Sequence, residues 1–211
     1  MEDATAGTMR LIGGDPSIDF VNTVGGRVSG ARAVRDKLHD YSDLVAWARH
    51  AGIVRDPLAR RLQQLAGERP AEAARAFKRA VELREALYRV LRSLMVRRRP
   101  ETADLEALSR ELAATRSRER LVAGTQGLRW EAPGVEERLE SVLEPIGRAA
   151  SALLTSGELP RLRQCAGEGC GWLFLDHSRN HSRQWCTMED CGNLSKVRRF
   201  RERQRREQRD A

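Results

Sequence analysis

All four cysteines of the chain lie within one short segment near its C-terminal end, at Cys165, Cys170, Cys186 and Cys191. Their pattern is C-x4-C-x15-C-x4-C. Two close pairs around a hairpin-sized insert form the arrangement of a structural zinc site. Each short loop can fold back so that both of its thiolates meet one ion, and the two loops together complete a tetrahedron. Four thiolates close the shell and leave no position for water, so the expected role of Zn2+ here is structural and not catalytic. A segment this short has little core of its own and depends on the metal to fold. His177 and His181 lie between the pairs as rival ligands, but they read first as turn residues.

Between the cysteine pairs, GWLFLD (171–176) reads as a strand, DHSRNHS as a turn and SRQWC (182–186) as the returning strand. Trp172, Leu173, Phe174, Leu175 and Trp185 then supply a small core. After Cys191, Gly192 and Asn193, the run LSKVRRFRERQRRE contains no helix breaker, and a helix is expected to about Arg209. A knuckle, a hairpin and a second knuckle opening a helix make a treble-clef-like finger. Val197 and Phe200, with Leu194, fall on one helix face, which is expected to pack on the finger. Arg198, Arg201, Arg205 and Arg209 fall close together on another.

Charge supports a polyanionic partner. The chain carries a net charge of +8. Residues 161–211 hold 12 basic and 7 acidic groups, a balance of +5, whereas residues 1–160 hold 26 and 23, a balance of +3 over three times the length. A basic helix fits the DNA major groove, where arginine pairs with guanine or grips phosphate. Asn193, Lys196, Arg198, Arg199, Arg201 and Arg205 are the candidate contacts, with Asn193 at the helix start. The bland alternative is a solvated helix with local ion pairs.

The first 157 residues read as a mainly helical domain with one small β-hairpin, and residues 160–211 as the finger. Residues 1–14 are expected to be poorly ordered. SIDFVNTV (17–24) suits a short buried helix, and GGRVSGAR a loop. Helices follow over 41–52, with Ser42 or Asp43 as cap, and over 56–67, with Asp56 as cap and Gly67 as stop. A long helix is expected from about Pro70 to Arg98, striped by Phe77, Val81, Leu87, Tyr88, Leu91, Leu94 and Met95. TADLEALSRELAATR (102–116) is helical, RLVAGTQGLRWEAP (120–133) a hairpin, and 134–157 a helix kinked at Pro145.

Arg84 sits in the middle of the long helix's apolar stripe. A buried arginine needs a carboxylate or a bound anion. Asp19 is one candidate partner, in a structural pair locking two helices. Alternatively Asp19, Asn22, Thr23 and Arg84 line a small polar pocket for a small-molecule effector.

CGWLFLDHSRNHSRQWCTMEDCGN followed by KVRRFRERQR resembles the CGNR zinc-finger family, whose members look like bacterial, stress-linked transcription regulators. SIDFVNTVGGR resembles the LDFxNTxGGR start of that family's N-terminal domain, often called ABATE, and LREALYRVLRSL and ASALLTS match its later order. The resemblance covers most of the chain. It departs at the family's namesake arginine, which is Leu194 here; transfer of the zinc site is untouched, whereas transfer of DNA binding is weakened.

No Ser–His–Asp pattern, phosphate loop, HExxH or dinucleotide fingerprint is visible, so no enzyme is expected. No apolar run reaches the roughly 18 residues of a membrane span. MEDATAGTMRLIGG lacks the basic start and apolar stretch of a secretory signal. The expectation is a cytoplasmic, zinc-dependent DNA-binding regulator, a homodimer by the habit of such proteins. The alternatives are a finger that binds RNA or a protein, and an enzyme built around Asp19, Asn22 and Arg84.

Overall fold

A computed structural model describes residues 4–28, 34–125 and 127–209. The chain opens on a packed segment. Ala6 and Met9 are buried in the main core, so residues 4–14 are not the loose tail that their polarity predicts. Two apolar side chains are enough to dock a short segment when a groove is ready for them.

Helix α1 (Pro16–Val21) starts on Asp15, whose carboxylate accepts from the Ser17 N–H, with Pro16 at the first helical position. Short strands β1 (Val24–Gly25) and β2 (Arg35–Asp36) pair antiparallel. Residues 29–32 of the expected GGRVSGAR loop lie outside the described residues. Helix α2 (Tyr41–His50) is capped by Asp40 and not by Ser42 or Asp43, and the Asp40 side chain accepts from the Asp43 N–H. In helix α3 (Asp56–Glu68) Asp56 is the first helical residue, and the helix runs through Gly67 before Arg69 ends it. Pro70 then opens the long helix α4 (Pro70–Met95).

The core gathers around α4. Its fully buried positions are mostly Ala76, Ala80, Leu83, Ala86, Leu87, Val90 and Leu91. Phe77 and Tyr88, prominent in the sequence, only flank this stripe. Alanines let α1, α2, α3 and helix α5 (Thr102–Arg116) approach the α4 backbone closely, and larger side chains fill the gaps between them. Phe20 of α1 meets Trp47 of α2 with ring centroids 5.1 Å apart.

After α5, strands β3 (Arg120–Gly124) and β4 (Gly127–Glu131) form the expected hairpin, with Leu121 opposite Trp130. The helix expected over 134–157 is divided. Two 3-10 turns precede helix α6 (Leu143–Leu154). Pro145 lies in the first turn of α6, where its missing N–H costs nothing, and so it begins a helix and does not kink one.

The C-terminal segment brings β5 (Leu162–Gln164), β6 (Leu173–Leu175) and α7 (Asn193–Glu207). The strand expected at 171–176 forms in part, but its partner is β5, upstream of the first cysteine, and SRQWC is not a strand. β6 also sits against α1. Leu162, Leu173 and Leu175 belong to the main core, while Phe174, on the other face of β6, packs with the cysteines. The alternation of a strand thus divides one tripeptide between two cores.

Candidate metal centre and nucleic-acid interface

Cys165 follows β5 directly, and Cys170 stands two residues before Trp172, whose carbonyl accepts from the Cys165 N–H at 2.8 Å. The first knuckle is tight because Gly167 carries no side chain: a Cβ there would lie 2.7 Å from Cys191 Sγ. Cys186 enters from the loop after Asp176. That buried carboxylate accepts from the Ser178 N–H and hydroxyl through Oδ1 and from the Arg183 N–H through Oδ2, and so folds the 176–183 turn. Arg183 stacks over Phe174, 4.0 Å from its centroid, and donates to the Cys186 carbonyl at 2.6 Å. Cys191 lies in a single π-turn, Met188–Gly192, capped by Thr187 and leading straight into α7.

All four sulfurs are buried and lie within 4.8 Å of one another. The Cys170 and Cys186 sulfurs are 3.8 Å apart. Zinc–sulfur bonds of roughly 2.3 Å give a tetrahedron whose edges are about 3.8 Å, so the donor set fits such an ion. Backbone N–H groups of Gly167 and Cys186 donate to Cys165 Sγ at 3.3 and 3.2 Å, an environment that favours thiolate. The Cys165 thiol is drawn far below its ordinary range, first by its hydrogen bond with Cys170 and then by Cys186 and Cys191. The Cys186 thiol is pushed up, first by Cys165 and then by Cys170. Crowded sulfurs share protons in this way, and a divalent cation satisfies all four at once. His177 and His181 stay outside the group: His177 faces Glu158 at 3.5 Å, and His181 Nδ1 lies 3.1 Å from the Asp176 carbonyl.

Helix α7 leaves this centre with no buried residue. Asn193 Nδ2 donates to the Glu189 carbonyl at 3.2 Å. Arg198 pairs with Glu168 of the first knuckle and with Glu202, and Arg199 lies 6.0 Å from the Trp185 ring centroid. The side facing the finger is therefore the one carrying Arg198 and Arg199. Leu194, Val197 and Phe200, expected to face the finger, are exposed. Glu168 and Trp185 of the finger are met by Arg198 and Arg199, and no apolar side chain of α7 is buried against them. Lys196, Arg201 and Arg205 are exposed.

The four polar residues around α1 are brought near one another but serve different partners. Asp19 Oδ1 accepts from the N–H groups of Ile12 and Gly13 at 2.8 and 2.7 Å. Burial outweighs these bonds and lifts its carboxyl to about 6. Asn22 reaches the finger: it donates to the Leu173 carbonyl and accepts from the Leu173 N–H, both at 2.8 Å. Thr23 donates to the Phe20 carbonyl and accepts from Arg84. Arg84 does not pair with Asp19. It makes a bidentate pair with Asp36 at 2.8 and 2.6 Å and also meets Glu85. Burial raises the Glu85 carboxyl, but Arg27 and Arg84 outweigh it and hold it below the usual range. Arg27 in turn stacks on Tyr88 and doubly pairs with Glu85, so a chain of charges ties β2 and the β1 loop to α4.

Asp36, Glu85 and Asp176 were missed in the sequence. Asp36 follows a loop with no pattern of its own, and Asp176 resembles any turn aspartate; the DHS order, an acidic residue two before a serine, is the one local signal for its turn.

No helix among the described residues is long and apolar enough to cross a membrane. No curated protein matches the chain. Residues 161–204 match the CGNR zinc finger, and residues 14–157 match ABATE, described as "Putative stress-induced transcription regulator". The ABATE match spans more than half of the chain, and by it this protein belongs to the ABATE family, with a CGNR zinc finger at its C-terminal end.

Proposed function

We propose that this protein is a zinc-dependent DNA-binding transcription regulator and not an enzyme. One observation carries the reading. The fourth cysteine of the metal centre sits at the root of α7, a helix with seven basic and two acidic residues and nothing buried. Zinc held by Cys165, Cys170, Cys186 and Cys191 would fix the direction in which that helix leaves the body, and would supply the folding energy of the finger. The exposed Lys196, Arg201 and Arg205 suit phosphate or guanine, whereas the backbone N–H of Asn193 is already bonded within the π-turn. The helical body then acts as a platform. The side chains of Asn22, Thr23 and Arg84 and one carboxylate oxygen of Asp19 are taken up by internal bonds, which favours a coupling role between body and finger over an open effector pocket.

The test is binding of zinc-loaded, full-length protein to random DNA and RNA pools, with selection and a salt titration. Enrichment of one DNA motif, with weaker binding on Arg201→Ala and a salt slope reduced by about one, supports the reading. Arg198→Ala should cost less, because that guanidinium is already held by Glu168 and Glu202. Selection of structured RNA alone, or no binding to either pool at moderate salt, would overturn it.

A further inference from the structure

The roll of α7 has a chemical meaning. Arg198 and Arg199 point to the finger, and Ser195 beside them is half-buried. At about 100° per residue, Val197 and Phe200 fall on the far side of the helix, and Leu194 borders that side, about 40° from Arg198. Leu194, Val197 and Phe200 are 54%, 47% and 58% exposed. Arg201 and Gln204 lie among them, Arg205 borders the stripe on one side and Lys196 and Arg203 on the other. An apolar line framed by cations has no cover within the described residues.

Charge restricts what can cover it. A second copy of α7 would bring the same excess of seven basic over two acidic residues against the first. A polyanion is the complementary surface, and in duplex DNA the apolar group displayed on a base edge of the major groove is the thymine C5-methyl. From Leu194 to Phe200 the helix rises about 9 Å, close to three base-pair steps of roughly 3.4 Å. We propose that Leu194, Val197 and Phe200 form a thymine-methyl-reading stripe, so that α7 selects a thymine-containing run of about three base pairs while the flanking cations hold phosphate. This rests on the DNA-binding reading above and gives it a base preference.

The probes are alternating poly(dA-dT) duplex and alternating poly(dA-dU) duplex, which differ by that methyl group. Zinc-loaded full-length protein is titrated with each at one salt concentration. The expected result is at least about fourfold weaker binding to the uracil polymer, the cost of losing one buried methyl. Leu194→Ser, Val197→Ser and Phe200→Ser combined should abolish the difference while metal content and helicity stay unchanged, the three side chains being exposed. Equal binding of the unaltered protein to both polymers would overturn the thymine reading and leave DNA binding standing. No binding to either would overturn both. A triple variant that still discriminates would also overturn it, as would equal binding together with a dimer that the triple variant dissolves, which would assign the stripe to a second copy.

Discussion

Replacing Asn22 by alanine removes two buried hydrogen bonds between body and finger. Asn22 is 1% exposed, and its amide spans the Leu173 N–H and carbonyl at 2.8 Å each. Leu173 lies in the buried strand β6 and is itself 0% exposed, so neither of its backbone groups gains water when the amide is lost. Leaving one buried partner unsatisfied costs about 1–3 kcal/mol, and two such groups together cost roughly 2–6 kcal/mol. Taking about 4 kcal/mol, at roughly 2–4 °C of melting temperature per kcal/mol for a chain of this size, the midpoint should fall by about 8–16 °C. The assay is thermal unfolding of the zinc-loaded protein followed by circular dichroism, with metal release followed in parallel by a chromogenic chelator. Metal release should accelerate in step with unfolding, because β6 lies between the main core and the cysteines. Asn22→Asp keeps one acceptor but sets a charge against the Leu173 carbonyl, and should be at least as damaging. A shift below about 2 °C for Asn22→Ala would refute the reasoning, since it would mean that the finger docks without this bond.

Three further outcomes follow from the same structure. Removing the metal with a chelator, or substituting Cys186→Ser, should melt part of the body as well as the finger, because Leu162, Leu173 and Leu175 share the main core; hydrogen exchange of α1 amides would show it, and unchanged α1 protection would contradict it. Asp36→Ala should destabilise by about 3 kcal/mol in urea titration by stripping a buried guanidinium of its main partner, whereas Arg84→Met combined with Asp36→Ala should recover part of the loss; additive losses would refute the pairing. The Asp19 carboxyl is raised in the folded state from 3.8 to about 6, so its stabilising contribution is complete below about pH 4 and is lost as pH rises through 6. Asp19→Asn, which keeps an acceptor for Ile12 and Gly13, should therefore gain stability relative to the unaltered protein between pH 4 and pH 7, read as a difference in urea midpoints; a flat difference would exclude the effect.

What the sequence made legible was local. Four cysteines at ligand spacing identify their site because the constraint lies in the spacing itself. The α5 helix and the β3–β4 hairpin were visible because each carries its period within a dozen residues. What depended on distant partners was not. β6 pairs with Leu162–Gln164 and not with the residues that follow the turn, because Asp176 and Arg183 give that second segment a different use. Arg84 was rightly placed in a buried stripe, yet its carboxylate lies on a two-residue strand too short to be read. The α4 core was misjudged in favour of large side chains, since close helix packing rewards alanine and hydropathy does not. On α7 the apolar face is expected to pack inward, yet Leu194, Val197 and Phe200 are exposed, and the finger meets Arg198 and Arg199 instead.

Attachment of α7 at Cys191, with lateral contacts to the finger through Arg198 and Arg199, makes it a lever with its fulcrum near its first turns. Fifteen helical residues extend about 22 Å, so a tilt of roughly 10° at the root displaces the tip by about 4 Å, more than one base-pair step, while Leu194 and Val197 move by less than about 1.5 Å. Accuracy on such an arm is concentrated in its first turns. On the DNA-binding proposal, arginines near the tip would follow an irregular phosphate backbone, and the residues beside the cysteine centre would keep their register. A centre that did nothing but stiffen the fulcrum would already decide how finely the arm can discriminate.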